Sequence, residues 1–232
     1  MPLPAVFADF VGLIFPRVCL ACQEPLGRGE DDLCTDCRAR LPYTDYHLLP
    51  PVGNPLARRF WGKLPVTHVL GYLTFQKHGR VQHLLHQLKY RNQQQVGRVL
   101  GRHYGQQLAE TGYLDTFGLV VPVPLHPRKL ARRGYNQADS FAEGLATALG
   151  CPWYPDALRR TAHTDSQTRK NRVQRWQNVA TVFEVARPDL IEGQHVLVVD
   201  DVLTTGATLE ACCAVLLAAG ARQVSVATIA VA

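Results

Sequence analysis

Residues 196–208, VLVVDDVLTTGAT, set a run of aliphatic residues against two adjacent carboxylates and then against small and hydroxyl-bearing residues. A continuous apolar run fits a strand buried on both faces. The following LEACCAVLLAAG is apolar with helical period and ends at Gly220. The pattern therefore predicts strand, loop and helix, with Asp200 and Asp201 at the strand's carboxyl end. In open α/β sheets that edge binds ligands. Thr204, Thr205 and Gly206, just ahead of the helix, offer backbone N–H groups and hydroxyls to a phosphate. Two ionised carboxylates repel phosphate but accept hydrogen bonds from a vicinal diol. A ligand that carries both groups a few ångströms apart is a ribose 5-phosphate. A helix cap alone needs one Asp and no TTGAT, and the chain contains no GxxxxGK[ST] loop.

All thirteen positions of this stretch resemble the signature of type I phosphoribosyltransferases. That resemblance implies that Asp200 and Asp201 hold the ribose hydroxyls of 5-phosphoribosyl 1-pyrophosphate (PRPP) and are the catalytic pair. Thr204, Thr205, Gly206, Ala207 and Thr208 would then wrap its 5-phosphate.

Near the other end, Cys19, Cys22, Cys34 and Cys37 form two C-x2-C pairs with eleven residues between them. A two-residue gap lets both thiolates of a pair face one ion, and two such pairs complete the tetrahedral sulfur shell that Zn2+ prefers. Four sulfurs leave no open position, so the expected role is structural. Iron uses the same four sulfurs, and the spacing alone leaves the metal open. Two disulfides are the alternative, but no feature marks the chain as secreted. Cys151, Cys212 and Cys213 read as core or surface residues.

The apolar residues Leu3, Val6, Phe7, Phe10, Ile14 and Phe15 share one face of a helix, which reads as docked on its own protein. With no charged start and no span of membrane length, the chain is expected to be cytoplasmic. The net charge of +6 is concentrated between His126 and Asn178, where ten Lys or Arg stand against four acids. Such a band attracts a pyrophosphate or a nucleic acid backbone.

Periodicity predicts strands over Val66–Phe75, Leu119–Val123, Thr181–Val185, His195–Val199 and Gln223–Val231. Helices are expected over Arg80–Tyr90, Val96–Glu110 and Tyr135–Leu149. This alternation predicts an α/β protein with a mostly parallel sheet and helices on both faces. The expected division is 1–45 for the helix and knuckle, 46–65 for a proline-rich connector, and 66–232 for the phosphoribosyltransferase-like domain.

Two basic segments accompany the acidic loop. In residues 120–138, VVPVPLHPRKLARRGYNQA, a buried strand enters a proline-punctuated loop and then a basic turn at Arg132, Arg133 and Gly134. By resemblance this is the pyrophosphate side, to which Leu125, His126, Arg132, Arg133, Gly134, Arg160 and Arg175 are assigned. Residues 158–183 resemble the hood loop of that superfamily. Together the knuckle, HQLKY at 86–90, PVPLHPRKLARRGYNQ at 122–137, Gln167 and RWQNV at 175–179 resemble the ComF family of competence-associated proteins, which includes ComFC- and GntX-like members. Some relatives carry further cysteine pairs, whereas residues 41–65 contain none.

The resemblance implies the type I phosphoribosyltransferase fold, bound PRPP with Mg2+, structural Zn2+ and a role in DNA uptake. It leaves the acceptor, any general base and the oligomeric state open. Three readings stand. One is a phosphoribosyltransferase. Another is a catalytically silent PRPP sensor or single-stranded DNA binder. The last is a scaffold for the knuckle.

Overall fold

The structure, a computed structural model, describes residues 16–161 and 182–232. The expected N-terminal helix face, Gln167, Arg175 and the RWQNV block lie outside the described residues, as does most of the hood segment. In chain order the strands are β1 (Val66–Thr74), β2 (Leu119–Pro122), β3 (Leu158–Arg160), β4 (Phe183–Val185), β5 (His195–Leu203) and β6 (Gln223–Val231). The helices are α1 (Thr35–Arg40), α2 (Arg80–Tyr90), α3 (Gln94–Leu108), α4 (Pro127–Arg133), α5 (Gln137–Leu149) and α6 (Ala207–Ala218). Strands β1, β6, β5 and β2 form one parallel sheet in that order, and β3 pairs antiparallel with β4.

The aliphatic run of β5 is explained by its two neighbours in depth. Leu197 and Val199 pack into a core shared with Leu84 and Leu88 of α2, Val99 and Leu100 of α3, and Phe141 of α5. Val196 and Val198 face the other way, onto Leu209, Cys212, Cys213 and Leu216 of α6 and onto Leu56 and Phe60. Alternate residues thus enter different cores, and a strand covered on both faces has no solvent side to mark with polar residues. Among the described residues, no helix is long and apolar enough to cross a membrane.

Strand β5 does not stop at Val199 as its apolar pattern suggests. It pairs with β6 through Asp200↔Thr228, Val202↔Ala230 and Leu203↔Val231, while its ladder with β2 closes at Pro122↔Val199. The two carboxylates therefore sit on extended backbone supported from one side. On the other side β2 has ended and a cleft opens.

The expected basic turn is helix α4. Pro127 occupies its first turn, the His126 ring nitrogen accepts from the Arg128 N–H at 3.2 Å, and Gly134 closes it at φ 79°. Proline at the start and glycine just past the end suit a short helix, and that asymmetry was present in the sequence.

Candidate functional site

The loop after β5 encloses a small cavity of about 40 Å³ lined by Asp200 and residues 202–209. Gly206 caps α6 at φ 84°, a left-handed conformation that side chains disfavour, and a methyl group there would also reach 3.4 Å from the Phe60 ring. Beyond Gly206, the first N–H groups of α6 have no carbonyl one turn back, so the exposed Thr204, Thr205, Ala207 and Thr208 surround a natural anion seat.

This loop is held in place by the segment expected to be a connector. Arg59 donates from Nη1 to the Leu203 carbonyl at 3.0 Å and to the Thr204 carbonyl, and from Nη2 to the Ala232 carbonyl at 2.8 Å. Phe60 is buried beneath Gly206, and Lys63 pairs with Glu210 at 2.9 Å. Sequence reading missed all three, because nothing local to residues 57–63 announces contacts some 145 positions away. Arg59→Ala is expected to lower stability by about 1–3 kcal/mol, since three carbonyls lose a charged donor. Urea unfolding with an unchanged midpoint would show the brace to be idle.

Asp200 and Asp201 lie at the mouth of a second cleft, about 190 Å³, on the β2 side. The Asp201 N–H donates to Asp200 Oδ1 at 2.8 Å, and Lys89 Nζ lies 2.8 Å from Asp201 Oδ2. Burial first, and the neighbouring Asp201 charge second, push the Asp200 carboxyl up to about 7. The cationic lining consists of Lys89, Lys129, Arg133 and Arg160. Arg133 is fixed by Nη1 donating to Gln137 Oε1 at 2.5 Å and by the Tyr90 ring 5.4 Å away, and Arg160 lies 5.3 Å from the Phe183 ring. Of the residues assigned to the pyrophosphate side, Leu125, Arg133 and Arg160 line this cleft. Arg132 and Gly134 are not part of that lining, His126 caps α4, and Arg175 lies outside the described residues. Lys89 and Lys129 were not among the assigned residues, because their contribution depends on how α2 and α4 meet β5.

A third, mostly apolar cleft of about 350 Å³ adjoins the other two on the β1 and β6 side, where Phe75, Leu85, His86 and Tyr90 contribute and Lys89 is shared. The end of β5 therefore has a phosphate-sized seat, a basic cleft on one side and an apolar cleft on the other.

The four thiols of Cys19, Cys22, Cys34 and Cys37 lie within 4.8 Å of one another. Cys22 Sγ and Cys34 Sγ are 3.8 Å apart, the edge length of a tetrahedron with metal–sulfur bonds of about 2.3 Å. Backbone N–H groups point at the sulfurs, from Ala21 and Cys34 to Cys19 Sγ at 3.4 and 3.3 Å and from Cys37 to Cys34 Sγ at 3.4 Å. Burial opposes ionisation of Cys19, but the N–H groups of Cys22, Cys34 and Ala21 bring its thiol down to about 7. The donor set fits structural zinc. The knuckle docks on the back of α2 and α3, with Gln87 Nε2 donating to the Leu20 carbonyl at 2.7 Å, Arg80 pairing with Asp36 at 2.9 Å and Arg102 with Asp32 at 2.7 Å.

The parallel sheet, the loop after β5 and the cysteine cluster define a phosphoribosyltransferase-type protein with a zinc ribbon. The phosphoribosyl transferase domain family matches residues 136–231, and the double zinc ribbon domain family matches residues 10–63. Residues 38–63 of that ribbon span contain no cysteine and include the segment that bears Arg59 and Phe60. The chain is 31% identical to the DNA utilization protein YhgH of Escherichia coli (strain K12), over 92% of this chain and 96% of that one. It is 28% identical to competence protein F of Haemophilus influenzae, over 90% and 94% of the two chains. With the competence protein ComFC of Bacillus subtilis it shares 23% identity over 85% and 88%. The chain belongs to the ComF family.

Proposed function

We propose that this protein binds PRPP and transfers its phosphoribosyl group to an acceptor as part of DNA uptake or utilisation. The observation that carries the reading is the convergence of three features at the end of β5: the phosphate seat of residues 204–208, the paired carboxylates, and a cleft with four cationic side chains. In this assignment residues 204–208 hold the 5-phosphate through backbone N–H groups and hydroxyls. Asp200 and Asp201 accept from the ribose diol and so fix the ring. Arg133 and Arg160, with Lys129, neutralise the pyrophosphate as it leaves and as positive charge develops at C1 of the ribose. The acceptor enters from the apolar cleft, opposite the leaving group. The Asp200 and Asp201 carboxylate oxygens at the cleft suit a hard cation such as Mg2+, which would supply positive charge to offset that of the leaving group. The four clustered thiols would hold their metal in a reducing, cytoplasmic setting, where thiols stay unoxidised.

Calorimetry with PRPP and Mg2+ tests the assignment. The Asp200→Ala plus Asp201→Ala protein is expected to lose detectable binding. An affinity equal to that of the unaltered chain would remove the diol assignment.

A second reading, binding of single-stranded DNA, is favoured by two exposed aromatic rings, each with an arginine nearby. Tyr90 is 62% exposed with Arg133 5.4 Å from its ring, and Trp61 is 54% exposed with Arg58 at 6.0 Å. Exposed rings stack on bases of any sequence while cations follow the backbone. A mobility shift across a salt series is expected to weaken steeply with salt, and a flat response would set this reading aside.

A further inference from the structure

We propose that Lys89 is a built-in counter-ion of the cleft, a positioning residue that lets the site hold PRPP without a divalent cation. The inference rests on the reading above that the cleft takes PRPP.

Two adjacent carboxylates facing a polyanionic ligand are an electrostatic liability. A cation must stand between them and the pyrophosphate, and the site already contains one. Lys89 Nζ is 2.8 Å from Asp201 Oδ2, with the two side chains 24% and 18% exposed. A pair this sheltered is screened less by solvent than a rim pair.

The lysine is also held from behind, unlike an ordinary surface lysine. Tyr135 donates its hydroxyl to the Leu88 carbonyl, one residue earlier, and Gln87 is tied to the knuckle through the Leu20 carbonyl at 2.7 Å. These bonds fix the last turn of α2, so the backbone that presents the ammonium is ordered before any ligand arrives. What remains free is the side chain's own rotation. Lysine is a compact charge with three donors and no fixed plane. It can therefore keep contact with Asp201 while it turns a second N–H toward a phosphate oxygen.

Charge balance points the same way. The basic cleft is lined by Lys89, Lys129, Arg133 and Arg160 against Asp200 and Asp201, four cations to two acids. Without Lys89 the surplus falls to one. The lost charge is also the one in direct contact with Asp201. Lys89 borders both the basic and the apolar cleft, so it stands beside the reacting end of the ligand rather than at its far phosphate.

The test is calorimetric titration of the zinc-loaded full chain with PRPP, in resin-treated magnesium-free buffer and at saturating MgCl2. The unaltered chain, Lys89→Met and Lys89→Arg are compared, with zinc content and circular dichroism confirming the fold. The unaltered chain is expected to bind within about threefold in the two buffers. Lys89→Met should lose about tenfold or more without magnesium, about 1.4 kcal/mol, and regain most of it when magnesium is added. Lys89→Arg should follow the unaltered chain. The proposal is overturned if the unaltered chain binds only with magnesium, or if Lys89→Met is weakened equally in both buffers. If the unaltered chain binds PRPP in neither buffer, the reading of the cleft fails and takes this inference with it.

Discussion

A methyl group added at Gly101 or Gly144 is expected to destabilise the protein by about 2 kcal/mol or more, although both glycines lie inside helices where alanine is normally the better residue. Helix propensity favours Gly→Ala by about 1 kcal/mol. Against it stands the seam between α3 and α5, where backbone meets backbone. A Cβ on Gly101 would collide with the Phe141 carbonyl and come 2.8 Å from the Leu145 nitrogen, and one on Gly144 would collide with the Arg98 carbonyl and come 2.9 Å from the Arg102 nitrogen. Main-chain atoms inside a helix cannot step aside singly, so the helices must separate. Their separation would disturb Val99, Leu100, Phe141 and Leu145, all fully buried. Overpacking of this kind costs about 1–3 kcal/mol and occasionally more. Gly97 is the control. A Cβ there meets the Ser140 hydroxyl, which can rotate away, whereas Ser140 Cβ at 2.9 Å and the Phe141 nitrogen at 3.2 Å cannot, so part of the strain remains. Urea unfolding should place Gly97→Ala nearest the unaltered chain and the double Gly101→Ala, Gly144→Ala variant lowest. If both single variants gained stability, propensity would outweigh the seam and the two helices would have to lie further apart.

That seam shows where sequence reading stops. Helices α2, α3, α5 and α6 were legible from apolar period, and helix Arg80–Tyr90 and strand Gln223–Val231 have the bounds the pattern predicts. Glycines four apart in α3 carried a packing message that an apolar-period search does not weigh. The acidic loop was legible because its chemistry lies in consecutive residues, and the knuckle because metal ligation fixes spacing. The end of β5 was not, since pairing on one side continues it to Leu203 after its apolar run has stopped at Val199. Arg59 illustrates the other limit. Its partners are the carbonyls of Leu203, Thr204 and Ala232, and carbonyls leave no trace in the identity of the residues that bear them. Lys89 stands in the sequence only as part of HQLKY, and it is the docking of α2 beside β5 that brings its ammonium to Asp201.

Removing the knuckle metal is expected to disturb the ligand cleft as well as the knuckle, because the two share helix α2. Residues 17–41 are too few to hold a core of their own, and units of that size depend on a metal or a partner surface. Cys19, Ala21, Leu33, Cys37 and Leu41 lie in the same apolar cluster as Leu84 and Leu88 of α2 and Val99 of α3. With the metal gone, the four thiols remain in contact, and two of them have opposed tendencies to ionise. Cys19 is brought down to about 7, while burial and the neighbouring thiols push Cys37 well above its ordinary value. The loop then has no common centre, and the Leu20 carbonyl no longer holds Gln87 two residues before Lys89. Chelation is expected to lower the melting temperature on the order of 10 °C, as a loss of several kcal/mol does in a chain of this size. Hydrogen exchange should rise across residues 80–90 as well as 17–41. Cys19→Ser with Cys22→Ser should reproduce both effects, whereas Cys151→Ser, outside the cluster, should show neither. Faster exchange confined to residues 17–41 would mean that α2 keeps its place without the knuckle. If exchange spreads to residue 89 instead, the metal and the ligand act on one element. PRPP should then slow exchange at Lys89 in the zinc-loaded protein and lose that effect in the stripped one.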